Sequence, residues 1–167
     1  MSSTLSLVDR YCAWIAGCVL SALGVSWVGF QAQQERIAPA VLFPLAVGAA
    51  VAGGVLATRR AVRVPARGAA IAVAAALGLL VVFAQDYIGH RHRVRLYDDE
   101  LARQTSPLGL AAGIETALRP AFGEYLIARM REQPLWFALE LAITSLGAAS
   151  LTALGTRRAI TLTTGAE

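Results

Sequence analysis

Two acidic residues lie in or beside strongly apolar sequence, and they are the clearest candidates for chemistry. Glu140 sits within Leu-Trp-Phe-Ala-Leu-Glu-Leu-Ala-Ile, and Asp86 ends another apolar run. A carboxylate inside a membrane span is costly and commonly belongs to an ion or proton pathway. The alternative, which we favour, is a structural ion pair or a hydrogen bond to a neighbouring helix for Glu140. For Asp86 it is a position at the span end, close enough to water for the carboxylate to reach it.

The two histidines of the chain are the next candidates. His90 and His92 occur in Gly-His-Arg-His-Arg, and Asp98, Asp99 and Glu100 follow a few residues later. Histidine together with carboxylates is metal-ligand chemistry in principle. The neighbouring arginines would repel a cation, however, and side chains two residues apart on a helix point about 200° apart. We therefore expect no metal site and no cofactor.

The cysteines and the catalytic motifs offer no further chemistry. Cys12 and Cys18 lie about 120° apart around a helix, so they can neither form a disulfide with each other nor bind one metal ion together. We expect them to be inert thiols. The chain has no G-x-S-x-G, H-E-x-x-H, Walker loop or C-x-x-C, which excludes the enzyme families that need those motifs. We assign no catalytic residue, and we expect a protein without enzymatic activity.

Composition and apolar segments together predict the elements that position these residues. Apolar residues make up 56% of the 167, charged residues 16%, and the mean hydropathy is +0.56. Four apolar segments can each cross a hydrocarbon core of roughly 30 Å as a helix; they occupy residues 11–30, 38–58, 68–88 and 135–155. The sequence thus predicts an all-α integral membrane protein, a single domain over 1–167 built as a bundle of four transmembrane helices.

The long connection between the third and fourth spans, residues 89–134, is predicted to be a structured loop. Ser106 and Pro107 resemble an N-cap followed by proline at the first helical position, which predicts a helix over 107–118. A second amphipathic helix is predicted over 121–132, with an apolar face of Phe122, Tyr125, Leu126 and Met130 and with Glu124, Arg129, Arg131 and Glu132 on its other faces. We expect one or two such helices to lie on the membrane surface or to cap the bundle.

The positions of the basic residues predict the orientation of the chain in the membrane and the kind of partner it binds. All 15 are arginine, and the net charge is +4. They cluster at span ends, where they suit anionic lipid headgroups, so we expect contact with the lipid bilayer and none with nucleic acid. Four spans place both termini on one side, where arginines are denser near the span ends. This predicts cytoplasmic N and C termini in a bacterial inner membrane, although Arg91, Arg93 and Arg95 on the other side argue against it.

Small residues recur at four-residue steps in all four spans, a spacing that lets helix backbones approach closely in lipid. The candidate packing residues are Ala13, Gly17, Ser21, Gly48, Ala52, Ala70, Ala74, Gly78, Ser145 and Ala149. Packing within the bundle is the simpler interpretation. The more specific one is that part of this surface serves a protein partner or a second copy of the chain.

Three functional hypotheses remain open. The one we favour is a small non-catalytic membrane protein, an accessory or scaffold subunit of a larger membrane complex. The first alternative is a small transporter or proton-coupled conduit that uses Glu140 and Asp86, with the arginines of 90–95 forming a vestibule. The second is a membrane enzyme that acts on a lipid-soluble substrate through the same residues.

Overall fold

A computed structural model describes residues 6–34, 42–63, 67–104 and 121–164, and within these ranges the chain is all helical, with no strand. The described helices are α1 (Leu7–Gln34), α2 (Leu42–Val62), α3 (Arg67–Gln104), α4 (Phe122–Glu132) and α5 (Pro134–Thr164). The all-α class is confirmed, and α1, α2, α3 and α5 are long and apolar enough to cross a membrane. The predicted loop helix over 107–118 lies outside the described residues.

The four long helices form a bundle in which α1 and α5 each pack against both α2 and α3. The order around the bundle is therefore α1, α2, α5, α3, with α2 and α3 also in contact. Small and β-branched side chains fill most of the core, together with one leucine and one tryptophan: Trp14, Cys18, Ala22, Val47, Val51, Val55, Ala70, Ala74, Leu77, Val81 and Ala148. Small side chains suit a bundle in lipid, where close backbone approach contributes much of the attraction between helices.

Two glycines bring backbones into direct contact at the middle of the bundle. A Cβ atom on Gly48 of α2 would lie 2.8 Å from the carbonyl oxygen of Thr144 and 3.2 Å from the backbone nitrogen of Ala148. A Cβ atom on Gly78 of α3 would lie 2.8 Å from the Cα of Ser145. We call this level, where α5 touches both α2 and α3, the waist of the bundle. It leaves no room for side chains, or for water between these backbones.

The third helix is much longer than the span predicted from the apolar run. The segment 89–104, expected to be loop, continues the helix to Gln104, so that α3 has 38 residues. At about 1.5 Å per residue it measures roughly 57 Å, and it extends well beyond a hydrocarbon core of roughly 30 Å. The added segment contains no proline and carries opposite charges four residues apart, as at Arg95 and Asp99. The apolar pattern ends near Gln85, but nothing there ends the helix.

A tight corner folds α4 back against the end of the bundle. The helix begins after Ala121, whose N–H donates to the Glu124 carboxylate at 3.3 Å. Gln133 turns the chain after α4, and its N–H donates to the Arg129 carbonyl at 3.0 Å. Pro134 begins α5, a position where its missing N–H leaves no hydrogen bond unmade. As a result α4 contacts both α3 and α5.

Candidate functional site

Arg129 joins the two carboxylates that the sequence singled out. Its Nη2 donates to Oε2 of Glu140 at 2.7 Å, and its Nη1 forms an ion pair with Oδ1 of Asp86. Both carboxylates are buried, whereas the arginine side chain is 23% exposed. We call these three residues the carboxylate–arginine cluster. It lies at one end of the bundle, where α3, α4 and α5 meet.

The corner between α4 and α5 positions the arginine. Arg129 precedes the turn at Gln133 and Glu140 follows it, so that a separation of eleven residues becomes a direct contact. The guanidinium carbon also lies 5.4 Å from the centre of the Phe137 ring, within the range of a cation–π contact. The planar guanidinium has enough N–H groups to serve two carboxylates at once. With all three groups ionised, the cluster carries one net negative charge.

The role of Arg129 was not predicted from the sequence, because the helical pattern places this residue on a polar face of the amphipathic helix. In the structure Tyr125 and Arg129 face the bundle together with Phe122, whereas Met130 is largely exposed. One feature of the sequence could have indicated this role. Asp86 and Glu140 lie at the same end of two apolar runs, and neither run contains a basic residue that could pair with them. Such carboxylates need a cation from a neighbouring segment, and α4 supplies it.

An aromatic group next to the cluster holds α4 against α3. The His90 ring is stacked on Tyr125 with 5.1 Å between centroids, and Tyr87 meets Phe122 edge to face at 5.2 Å. The Arg93 guanidinium lies 4.8 Å from the Tyr125 ring centre, and it also donates a hydrogen bond to the Tyr125 hydroxyl. His90 and Arg93 thus have packing partners on α4.

His92 points to another side of α3. Its ring meets Phe30 of α1 edge to face, with 5.5 Å between centroids, so the structure does not bring the two histidines to one site. Within the described ranges, no group of three or more histidine, cysteine, aspartate or glutamate residues is arranged to hold a metal ion.

A polar cleft of about 790 Å³ opens between α1, α3 and α4. Gln85 and Asp86 are its most buried polar residues and form its floor, while Phe30 and Tyr125 line its walls. Ligand pockets in proteins commonly occupy roughly 300–1,000 Å³, so this cleft is large enough for a ligand. The carboxylate–arginine cluster therefore borders an open cavity.

The chain matches no protein-family model, no curated protein and no solved structure. No relative therefore lends a function to any of these residues. What the site can do follows from its own geometry.

That geometry includes a row of polar side chains on the buried face of α5, at Glu140, Thr144, Thr152 and Thr156. Thr144 directs its hydroxyl to the Pro44 carbonyl at 3.4 Å. Ala148 interrupts the row at the waist, where it is fully buried against Gly48. This apolar contact separates the polar groups near Glu140 from Thr152 and Thr156.

The small residues occupy three kinds of position. Those buried at helix contacts are Gly48, Ala52, Ala70, Ala74 and Gly78, those half-buried at contact edges are Gly17, Ser21, Ser145 and Ala149, and Ala13 is exposed. A Cβ atom on Gly17 would lie 2.9 Å from the Thr58 methyl group, so this glycine faces α2. The Cys18 sulfur also contacts the Thr58 hydroxyl at 3.2 Å, whereas Cys12 is exposed.

Proposed function

We propose that this chain is a small non-catalytic integral membrane protein, an accessory or scaffold subunit that associates with a larger membrane partner through α1 and α2. We further propose that it resides in a bacterial inner membrane with both termini in the cytoplasm. Three observations support this proposal. Helix backbones meet directly at the waist, Arg129 holds the two buried carboxylates, and a large apolar surface is not covered by the chain itself.

The observation that carries the proposal is an apolar groove of about 480 Å³ between α1 and α2. Gly24 lines this groove, and a Cβ atom built on it would meet nothing within 4 Å. The packing of the chain itself therefore does not require a glycine there. Small residues on a lipid-facing surface allow another transmembrane helix to approach closely. Only 28–39% of the apolar window of each span is buried within the chain, which leaves wide surfaces for a partner.

The arrangement of Asp86 and Glu140 supports a structural role over proton transfer. A carboxylate in a proton pathway needs access to protons from both sides in turn, but the lining of the polar cleft includes none of the residues that form the waist. Arg129 contacts both residues and joins three helices. The two acids accordingly serve to fix α4 to the end of the bundle.

The proposal can be tested by purifying the tagged protein from its native membrane in a mild detergent and identifying the chains that co-migrate. Gly24→Leu would fill the groove without disturbing the chain's own core. Ala76→Leu is the matched control, because Ala76 is also a small exposed residue but lies on α3 and does not line the groove. We expect a defined partner with the wild type and the control, and its loss with Gly24→Leu. A wild-type chain that migrates alone, or a Gly24→Leu variant that keeps its partner, would contradict the proposal.

The second candidate function is a small transporter or proton-coupled conduit that uses Glu140 and Asp86. It is favoured by the position of Asp86, whose Oδ2 has no hydrogen-bond partner in the described part of the chain and which lines the open cleft. Such a function requires the waist to open. The same cleft residues would serve a membrane enzyme acting on a lipid-soluble substrate.

A further inference from the structure

The floor of the polar cleft contains two buried polar atoms that lack a partner. Within the described residues, neither Nε2 of Gln85 nor Oδ2 of Asp86 has a hydrogen-bond partner, although these residues are only 4% and 7% exposed. Leaving buried donors and acceptors unpaired is costly, and a native site normally supplies each of them with a partner. One atom is a donor and the other, as a carboxylate oxygen, an acceptor. A hydroxyl group can satisfy both kinds of atom.

Packing keeps the Gln85 amide at this place. It lies against Gly29 of α1, where a Cβ atom would collide with Nε2. The other oxygen of Asp86 is already engaged by Arg129. The unpaired donor and the unpaired acceptor thus lie on consecutive residues of α3, both of which line the cleft.

The charges around the cleft favour an uncharged ligand. Its lining contains two carboxylates, Asp86 and Glu132, and two arginines, Arg93 and Arg129. Both arginines are engaged, Arg93 with Tyr125 and Arg129 with the two buried acids. The formal charges of these four side chains sum to zero, so the lining does not select for an anion, and a cation at the Asp86 oxygen would meet the charge of Arg129.

Neutral amides complete the lining. Among the described residues, four glutamines line the cleft: Gln33, Gln34, Gln85 and Gln133. Each amide can both donate and accept, which suits ligands that present several hydroxyl groups. Phe30 and Tyr125 add apolar surface on the walls.

We propose that the polar cleft binds a neutral, hydroxyl-rich head group of the kind that a glycolipid or a free sugar carries. This inference is independent of the accessory role proposed above. In it the Asp86 carboxylate accepts a hydrogen bond from a ligand hydroxyl, and the Gln85 amide donates one to a ligand oxygen.

The head-group proposal can be tested by native mass spectrometry. The full chain is purified in a detergent that has no sugar head group. The probes are monoglucosyl diacylglycerol, phosphatidylcholine and phosphatidic acid with identical acyl chains. We expect the wild type to retain the glucosyl lipid about ten-fold more strongly than either phospholipid, a difference that corresponds to one or two hydrogen bonds. Equal retention of the three lipids, or a preference for phosphatidic acid, would overturn the proposal. Displacement by added glucose would indicate a free sugar, and resistance to glucose a lipid-borne one.

Gln85→Met removes the amide while keeping a similar length. We expect about ten-fold weaker retention of the glucosyl lipid and a melting temperature that is unchanged or higher, because an unpaired buried donor has been removed. Gln31→Met is the matched control, since Gln31 is exposed on α1 and does not line the cleft. Gln33→Met, at an exposed lining position, should also weaken retention without affecting the core. Full retention in both cleft variants, or an equal loss in Gln31→Met, would refute the assignment.

Discussion

Arg129 donates a 2.7 Å hydrogen bond to Glu140 across the corner between α4 and α5. The same guanidinium pairs with Asp86 of α3, so that a single side chain outside the spans contacts two carboxylates within them. In a low dielectric the loss of this cation would leave two buried negative charges close together, which is unfavourable for each of them. The position of α4 is therefore coupled to the charge of the bundle.

Replacing Arg129 with methionine should destabilise the protein strongly. The variant keeps the length and apolar stem of the side chain but leaves Asp86 and Glu140 without their cation. Removal of one partner of a buried ion pair typically costs about 3–5 kcal/mol of unfolding free energy. Thermal unfolding in a mild detergent should show the loss.

A triple variant is the control for that experiment. Arg129→Met combined with Asp86→Asn and Glu140→Gln removes all three charges, so we expect most of the stability to return. If the triple variant were as unstable as Arg129→Met alone, packing of the arginine stem, and not its charge, would be the cause.

Glu140→Gln separates the accessory function from the transport function. The cluster has one more negative than positive charge, so that neutralising Glu140 leaves a balanced pair of Asp86 and Arg129. The amide can still accept a hydrogen bond from Arg129. We expect normal folding, normal partner association and normal support of the cellular role. A variant that folds and inserts but fails in that role would favour the conduit, because glutamine cannot gain and lose a proton.

The sequence was sufficient for the helical class and the four long apolar helices, because membrane crossing depends on length and hydropathy. It was less informative beyond the apolar runs. The third helix continues through 89–104, and a hydropathy pattern cannot mark its end once the helix has left the apolar layer. The position of this extension depends on contacts such as His90 with Tyr125 and His92 with Phe30, which are far apart in the sequence.

The candidate site was predictable only in part. Glu140 and Asp86 stood out because acidic residues in apolar segments are rare. Arg129 did not, since an arginine on a short amphipathic helix is usually solvated. Its contacts depend on the direction of the turn at Gln133, a tertiary feature that spacing alone does not encode.

Cysteine labelling can test the span arrangement. In a background with Cys12 and Cys18 replaced, single cysteines can be placed at two exposed positions at opposite ends of the bundle, Ala61 in the last turn of α2 and Tyr97 in the extension of α3. We expect an impermeant maleimide to reach Tyr97→Cys from the periplasm and Ala61→Cys only after the membrane is permeabilised. The reverse pattern would overturn the proposed orientation. Labelling of both from one side would be incompatible with the span arrangement itself.

Two glycines of α2 have opposite surroundings, which makes the close contact at the waist testable. A Cβ atom on Gly48 would lie 2.8 Å from a backbone oxygen of α5, whereas one on Gly53 would meet nothing within 4 Å. Gly48→Ala should therefore force α2 and α5 apart and lower the unfolding free energy by about 1–3 kcal/mol. Gly53→Ala should leave it unchanged or raise it by up to about 1 kcal/mol, since alanine favours helix more than glycine does. Equal melting temperatures for the two variants would show that α2 and α5 do not meet backbone to backbone at this level, and would remove the main argument for a closed bundle.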